Sequence, residues 1–150
     1  MPKLELKAQG LPRPQPRARF NFRRSRCYSN TKIISNWKMI MAPTFRGQLP
    51  KGFKKITTPI SISLTFKFAR PLKHYIKGQP SVVKEEYKEA KVVSATRGDG
   101  DNLEKPVWDT LTKAEIFRDD CLIYRWTGEK IYVDTQEEEG VVVAICYDEK

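Results

Sequence analysis

From Ile60 to Phe68 the chain alternates without a break. Ile60, Ile62, Leu64, Phe66 and Phe68 are large and apolar, and Ser61, Ser63, Thr65 and Lys67 between them are polar. Successive side chains of a strand point to opposite faces, so this is a strand with one face buried and the other near water. A chain built around it needs a sheet with one covered side. At 150 residues there is material for one hydrophobic core and not for two, so residues 1–150 are expected to form a single domain.

The remaining segments supply partners for that strand. Lys3–Ala8 alternates through Leu4 and Leu6 and predicts a short first strand. Asn30 can cap a helix whose apolar positions Ile33, Ile34, Trp37, Ile40 and Met41 follow the 3.6-residue period, with Pro43 expected to end it. Asp101 can cap a second helix, with Glu104 completing a capping box and Leu103, Val107, Trp108 and Leu111 forming the buried stripe. Pro106 falls near its first turn, where proline is best tolerated. Leu122, Tyr124 and Trp126 alternate, as do Ile131 and Val133, but with opposite parity, which predicts a bulge or turn at Gly128. Gln136 to Gly140 is an acidic loop, and Val141–Tyr147 is an apolar run expected to be a strand buried on both faces. Between Pro71 and Gly98 the pattern is weak; a short helix over Ser81–Ala90 and a long loop beside the active site fit equally. The sum is an α+β fold, a small mixed sheet of about four strands packed with two main helices.

Charge divides the chain. Residues 1–80 carry 18 of the 28 Lys and Arg with Glu5 as their sole acid, whereas residues 81–150 carry 17 of the 18 acids. The basic half would attract a polyanion and release counterions as its cations approach phosphates. Within it, residues 10–28 form a Pro/Arg arm too rich in proline for a helix or central strand. This arm presents Arg13, Arg17, Arg19, Arg23, Arg24 and Arg26 as expected contacts to a DNA backbone. Cys27, Cys121 and Cys146 show no paired spacing, which argues against both a disulfide framework and a zinc site and predicts small buried side chains in a reducing compartment. His74, the single histidine, has no metal-ligand partner at useful spacing and is expected at the surface or against a phosphate. With no apolar run of membrane-spanning length and no signal-peptide pattern, the chain is expected to be cytoplasmic, with no membrane partner.

The acidic half concentrates its acids in Gly98-Asp99-Gly100-Asp101-Asn102-Leu103-Glu104-Lys105 and again in Asp119-Asp120. In an extended segment, residues two apart project to one side, so Asp99 and Asp101 can face one ion. Asp120 would join them at the start of the next strand. Three carboxylates make a hard oxygen site suited to Mg²⁺, or Mn²⁺ as a substitute, with positions left for water and phosphate. Lys105, one helical turn past Asp101, is positioned to meet developing negative charge, and Asp109, four residues further, could orient its ammonium. The acids and glycine that a calcium-binding EF-hand loop needs after Asp101 are missing.

The run Asp99-Gly-Asp101-Asn102-Leu103-Glu-Lys105, followed by Asp109-Thr-Leu111 and then Asp119-Asp120, resembles the signature of RusA-type Holliday junction resolvases. The resemblance extends to the Pro12-Arg13-Pro14 arm and to Phe68-Ala69-Arg70-Pro71, so it covers most of the chain in order. It implies metal-binding roles for Asp99, Asp101 and Asp120, a flanking acid at Asp119 and an essential lysine at Lys105. It also implies a homodimer that binds a DNA four-way junction and nicks two opposed strands. The expectation is therefore a Mg²⁺-dependent endonuclease of recombination and repair. Two non-enzymatic classes stay open on residues alone: a protein that binds branched DNA without cutting it, and a basic RNA- or ribosome-associated structural protein. Cleavage of a synthetic junction with and without Mg²⁺ separates the first, and equal affinity for duplex, RNA and junction would favour the second.

Overall fold

A computed structural model describes residues 2–15, 19–21, 26–28, 32–93 and 97–148, with 19–21 and 26–28 as backbone alone. In chain order come β1 (Lys3–Gln9), β2 (Arg19–Asn21), β3 (Arg26–Tyr28), α1 (Lys32–Gly47), β4 (Ile60–Ala69), β5 (Tyr75–Ile76), β6 (Gln79–Val83), α2 (Gly100–Lys113), β7 (Ile123–Val133) and β8 (Gly140–Tyr147). The main sheet has the order β1-β8-β4-β7, and two small two-stranded sheets join β2 to β3 and β5 to β6. β8 runs antiparallel to both β1 and β4, while β7 lies parallel to β4. The parallel pair requires a crossover, and the chain between β4 and β7 contains α2. This is the α+β, mixed four-stranded architecture that the sequence predicts.

One face of the sheet is dry. Leu4 and Leu6 of β1, Val143 and Ile145 of β8, and Ile60 to Phe68 of β4 point to it, where Ile34, Trp37, Met41 and Phe45 of α1 and Leu103, Val107 and Leu111 of α2 join them in one core cluster. The alternation around Ile60 held to the residue: all five apolar positions are buried and the polar ones between them are partly or fully exposed. β8 differs from expectation. Val141, Val143 and Ile145 are buried, but Val142, Ala144 and Cys146 on the other face are only half-buried, because among the described residues no second layer covers that side.

Other differences have local causes. α1 continues through Pro43 to Gly47. Proline removes one helical hydrogen bond at about 3 kcal/mol, while fully burying Phe45 two residues on contributes about 1.5–3 kcal/mol, so the two are comparable and the helix persists. The buried stripe is Ile34, Trp37, Met41 and Phe45, and Ile33 and Ile40 are each half exposed. Asn30, the expected cap, lies outside the described residues. β7 is uninterrupted at Gly128, which pairs with Leu64; the register shift lies at its start, between Ile60 and Ser61, where Tyr124 is the extra residue. The flip in apolar parity misled because β7 is an edge strand whose residues 124–129 are all exposed, so its pattern does not report burial. Cys121 is exposed and Cys146 half-buried, against the expectation of buried thiols, since Cys121 sits in the 3₁₀ turn before β7. Cys27 lies on β3, whose side chains are not described. Among the described residues no helix is long and apolar enough to cross a membrane.

Segment 71–98 contains two short 3₁₀ turns and the β5–β6 hairpin rather than a helix over Ser81–Ala90. Arg70 fastens it to the end of the sheet: its guanidinium donates to the carbonyls of Tyr87 at 2.9 Å and Lys88 at 3.3 Å, and stands 3.6 Å from the Asp134 carboxylate. His74 belongs to this anchor and not to the surface. It is 3% exposed, stacked on Tyr87 with ring centroids 4.3 Å apart and edge-on to Tyr132. Nη1 of Arg70, which can only donate, lies 3.4 Å from His74 Nδ1, so that nitrogen is an acceptor and the imidazole is neutral. Burial first, then the charges of Arg70 and Lys73, hold His74 below the ordinary histidine value. The unfolded chain therefore takes up a proton that the native state resists, and stability falls as pH drops below about 6.5 towards the lowered native value. His74→Phe keeps the stacking and removes the titration. Thermal melts between pH 7 and 5 should show a flatter dependence for the variant, and parallel curves would refute the assignment.

Candidate active site

α2 is the scaffold of the site. With Leu103, Val107 and Leu111 buried, the opposite face carries Asp101, Lys105 and Asp109 at successive four-residue steps. The row spans about 12 Å at 1.5 Å per residue. Lys105 stands in the middle of it.

The helix starts two residues earlier than the capping-box pattern predicts. Asp99 is the N-cap in extended conformation, with its carbonyl accepting from Leu103 N at 3.0 Å and its side chain making no capping bond. Asp101 is exposed in the first turn, where a carboxylate complements the positive end of the helix dipole. Asp99 and Asp101 thus straddle a helix start instead of sharing an extended segment. Glu104 does not reach back to the cap. Its Oε1 overlies Gly128, where a Cβ would come within 2.6 Å of it, so the small residue on β7 admits a carboxyl group and not a bulge. Burial, and then the nearby charge of Asp101, push Glu104 above the usual carboxylate range.

The arm closes over this end of the helix. Gln15 N donates to Asn102 O at 2.6 Å. Gly98 has φ +89°, and a Cβ there would lie 2.6 Å from Pro14 Cβ, so both the backbone twist and the contact with the arm demand glycine. Lys130 of β7 donates to the Gly98 carbonyl at 3.2 Å. Arg13 is exposed; Arg19 and Arg26 lie on β2 and β3 with side chains not described, and Arg17, Arg23 and Arg24 lie outside the described residues.

The second cluster meets the far half of the row. Asp119 and Asp120 begin a 3₁₀ turn, Asp120–Leu122, that leads into β7, and Asp119 Oδ1 accepts from Cys121 N at 3.0 Å. That backbone bond, followed by a hydrogen bond from Asp120, holds Asp119 below the usual range. Asp120 is pushed the other way, first by its hydrogen bond with Asp119, then by burial and the Asp119 charge, while Lys105 pulls it down and Asp109 adds to the rise. The two act on each other as a like-charged pair, and the charges of Lys105 and Asp109 act on Asp120. Asp109 receives two ammonium groups, Lys105 Nζ on Oδ1 and Lys38 Nζ on Oδ2, each at 3.3 Å. Lys38, from α1, was not legible in the sequence, because nothing local links it to a residue 71 positions away.

The structure thus gathers Asp119, Asp120, Asp109 and Lys38 around Lys105, one helical turn from Asp101, with Asp99, Asn102 and Glu104 at the helix start. Among the described residues no three acidic, histidine or cysteine side chains stand close enough together to form a ready ligand set; carboxylates repel one another when no cation lies between them. The donor chemistry nonetheless fits a hard divalent ion, since the acids offer carboxylate oxygens. Gln15 adds Oε1, a buried carbonyl oxygen with no hydrogen-bond partner among the described residues, on the segment bonded to Asn102.

A double-mutant cycle between Lys38 and Asp109 should give a coupling of about 0.5–1 kcal/mol in urea denaturation, as expected for a partly exposed pair; a coupling indistinguishable from zero would remove Lys38 from the site. Gly98→Ala should cost about 1–3 kcal/mol of stability, and an unchanged denaturation midpoint would mean that the arm does not bear on that residue.

The profile of a family described as endodeoxyribonuclease RusA matches residues 9–146. No curated protein matches the sequence. The matched span takes in the arm, both helices and both acidic clusters.

Proposed function

The chain belongs to the RusA family of endodeoxyribonucleases, and on that basis we propose that it resolves Holliday junctions by paired, symmetric nicks in a Mg²⁺-dependent reaction. The family makes it a nuclease of DNA junctions, so the two non-enzymatic readings give way. The observation that carries the mechanism is the meeting of Asp120 and Lys105, residues from two acidic segments of the sequence, on one surface with Asp109.

Asp99, Asp101 and Asp120 would hold the ion, with Asp119 and Gln15 Oε1 as adjoining oxygen donors. Mg²⁺ suits such a set, and Mn²⁺ is an expected substitute. When bound, the ion supplies positive charge that polarises the phosphate and acidifies a water. Lys105 provides a second positive charge for the phosphate oxygens, and its ion pair with Asp109 orients the ammonium before DNA arrives. Lys38 balances the other oxygen of Asp109, which keeps that carboxylate from holding Lys105 too firmly. The exposed arginine of the arm, Arg13, and the basic first half of the chain would grip the junction arms through phosphates.

Two opposed cuts on a two-fold substrate need two sites related by a two-fold axis, which supports a homodimer. The exposed Ile33, Met39 and Ile40 of α1 offer apolar surface for a second copy to cover. An enzyme of chromosomal or other intracellular DNA works in the cytoplasm of its cell.

Asp101→Asn should lower the cleavage rate of a synthetic four-way junction by at least about 100-fold, the scale of removing one charged group from a preorganised site. It should leave junction binding equal or tighter, measured by gel shift alongside denaturing gels that map both nicks. Cleavage by the unaltered protein should stop with chelator and return with Mg²⁺ or Mn²⁺. Full activity in chelator, or loss of binding in the variant, would overturn the metal role.

A further inference from the structure

The loop between α1 and β4 encloses a cavity of about 470 Å³, lined by Lys51, Phe53, Lys54, Lys55, Thr58 and Tyr147 among others. Its volume falls in the range of about 300–1,000 Å³ that accommodates small ligands. The cavity has two chemical characters. Lys51, Lys54 and Lys55 are exposed, and among the described residues none of them is in an ion pair. Phe53 and Tyr147 are half-buried and packed against the core, so they form an apolar wall that is held in position. Among the described residues Asp148 is the only acid in the lining, and its backbone carbonyl accepts from Thr58 Oγ1 at 2.6 Å.

The cavity is joined to the catalytic acids through the backbone. Ile56 N donates to Ile116 O at 3.0 Å and Arg118 N to Ile56 O at 2.9 Å. These bonds strap the loop alongside the segment that continues directly into Asp119 and Asp120. Arg118 is exposed between them, and its charge acts on Asp119. A strand of DNA lying over Asp120 therefore meets Arg118 next and the three lysines after it.

We propose that this cavity is a nucleotide subsite for the cut strand, in which Lys51, Lys54 and Lys55 take backbone phosphates and the Phe53 and Tyr147 rings take the adjoining sugar or base. The ligand class follows from the pairing of unneutralised ammonium groups with aromatic surface, the combination that binds single nucleic-acid strands. A continuous strand is favoured over a free nucleotide because cavity and acids form one track. The inference rests on the endonuclease reading for the identity of that track, and the experiment separates the two.

Lysine acetylation read by mass spectrometry, in chelator, tests it without any substitution. A four-way junction or a single-stranded oligonucleotide should protect Lys51, Lys54 and Lys55, while Lys77 in the β5–β6 turn, beyond the opposite end of β4, reacts as in the free protein. Equimolar inorganic phosphate should protect none of them. The triple variant Lys51→Gln, Lys54→Gln, Lys55→Gln changes only exposed side chains, and circular dichroism checks its fold. Its slope of log binding constant against log salt on junction DNA should be shallower by about 0.9 per lysine. Undiminished acetylation in the presence of DNA, or an unchanged slope, overturns the subsite. Protection by inorganic phosphate alone also overturns it, in favour of a free-anion site. If the unaltered protein fails to cut a junction yet DNA protects the lysines, the nuclease reading falls while the strand subsite stands.

Discussion

The buried stripe of α2 governs the rest of the molecule's chemistry. A helix that sinks Leu103, Val107 and Leu111 into the core must turn Asp101, Lys105 and Asp109 outward, since residues three and four apart share a face. No polar interaction at the site is strong enough to set that orientation. Surface ion pairs such as Lys105–Asp109 contribute at most about 1 kcal/mol, whereas each fully buried leucine contributes about 1.5–3 kcal/mol. Burial chooses the face, and the charged row follows from it.

Around that helix, close approaches replace long side chains. Gly98 lets the arm meet the helix start through Pro14, and Gly128 lets the carboxyl of Glu104 settle against β7. Both contacts bring elements far apart in sequence to the acidic end of α2. Further along the helix, Lys38 of α1 and the Asp119–Asp120 turn converge on Asp109 and Lys105. The site is thus assembled from four elements around one helix, and the basic loop at residues 50–58 continues its surface through Arg118.

Some of this was legible in the order of residues. The β4 alternation, the short β1 and the stripe of α2 could be read because each is a local pattern whose period matches a single secondary structure. The Asp-x-Asp and Asp-Asp clusters were also visible, since a basic chain has little reason to concentrate acids. His74, Gly128 and Ile40 were misjudged for a common reason: each is governed by what packs against it from elsewhere. Arg70, Tyr87 and Tyr132 bury His74, Glu104 claims the space above Gly128, and among the described residues no element covers Ile40.

What the chain alone determined is its class: a half-covered mixed sheet, two helices, a basic body and two carboxylate clusters, all set by periodicity and composition over short stretches, while the resemblance of those clusters to the RusA signature implied their chemistry. What only the folded structure decided is which charges meet. Lys38 and Asp109 are 71 residues apart, and two backbone hydrogen bonds at Ile56 tie the lysine-bearing loop to the segment that leads into Asp119 and Asp120. Such encounters depend on how the core closes, because hydrophobic burial is non-directional and fixes the positions of surface groups only after every element has found its partner.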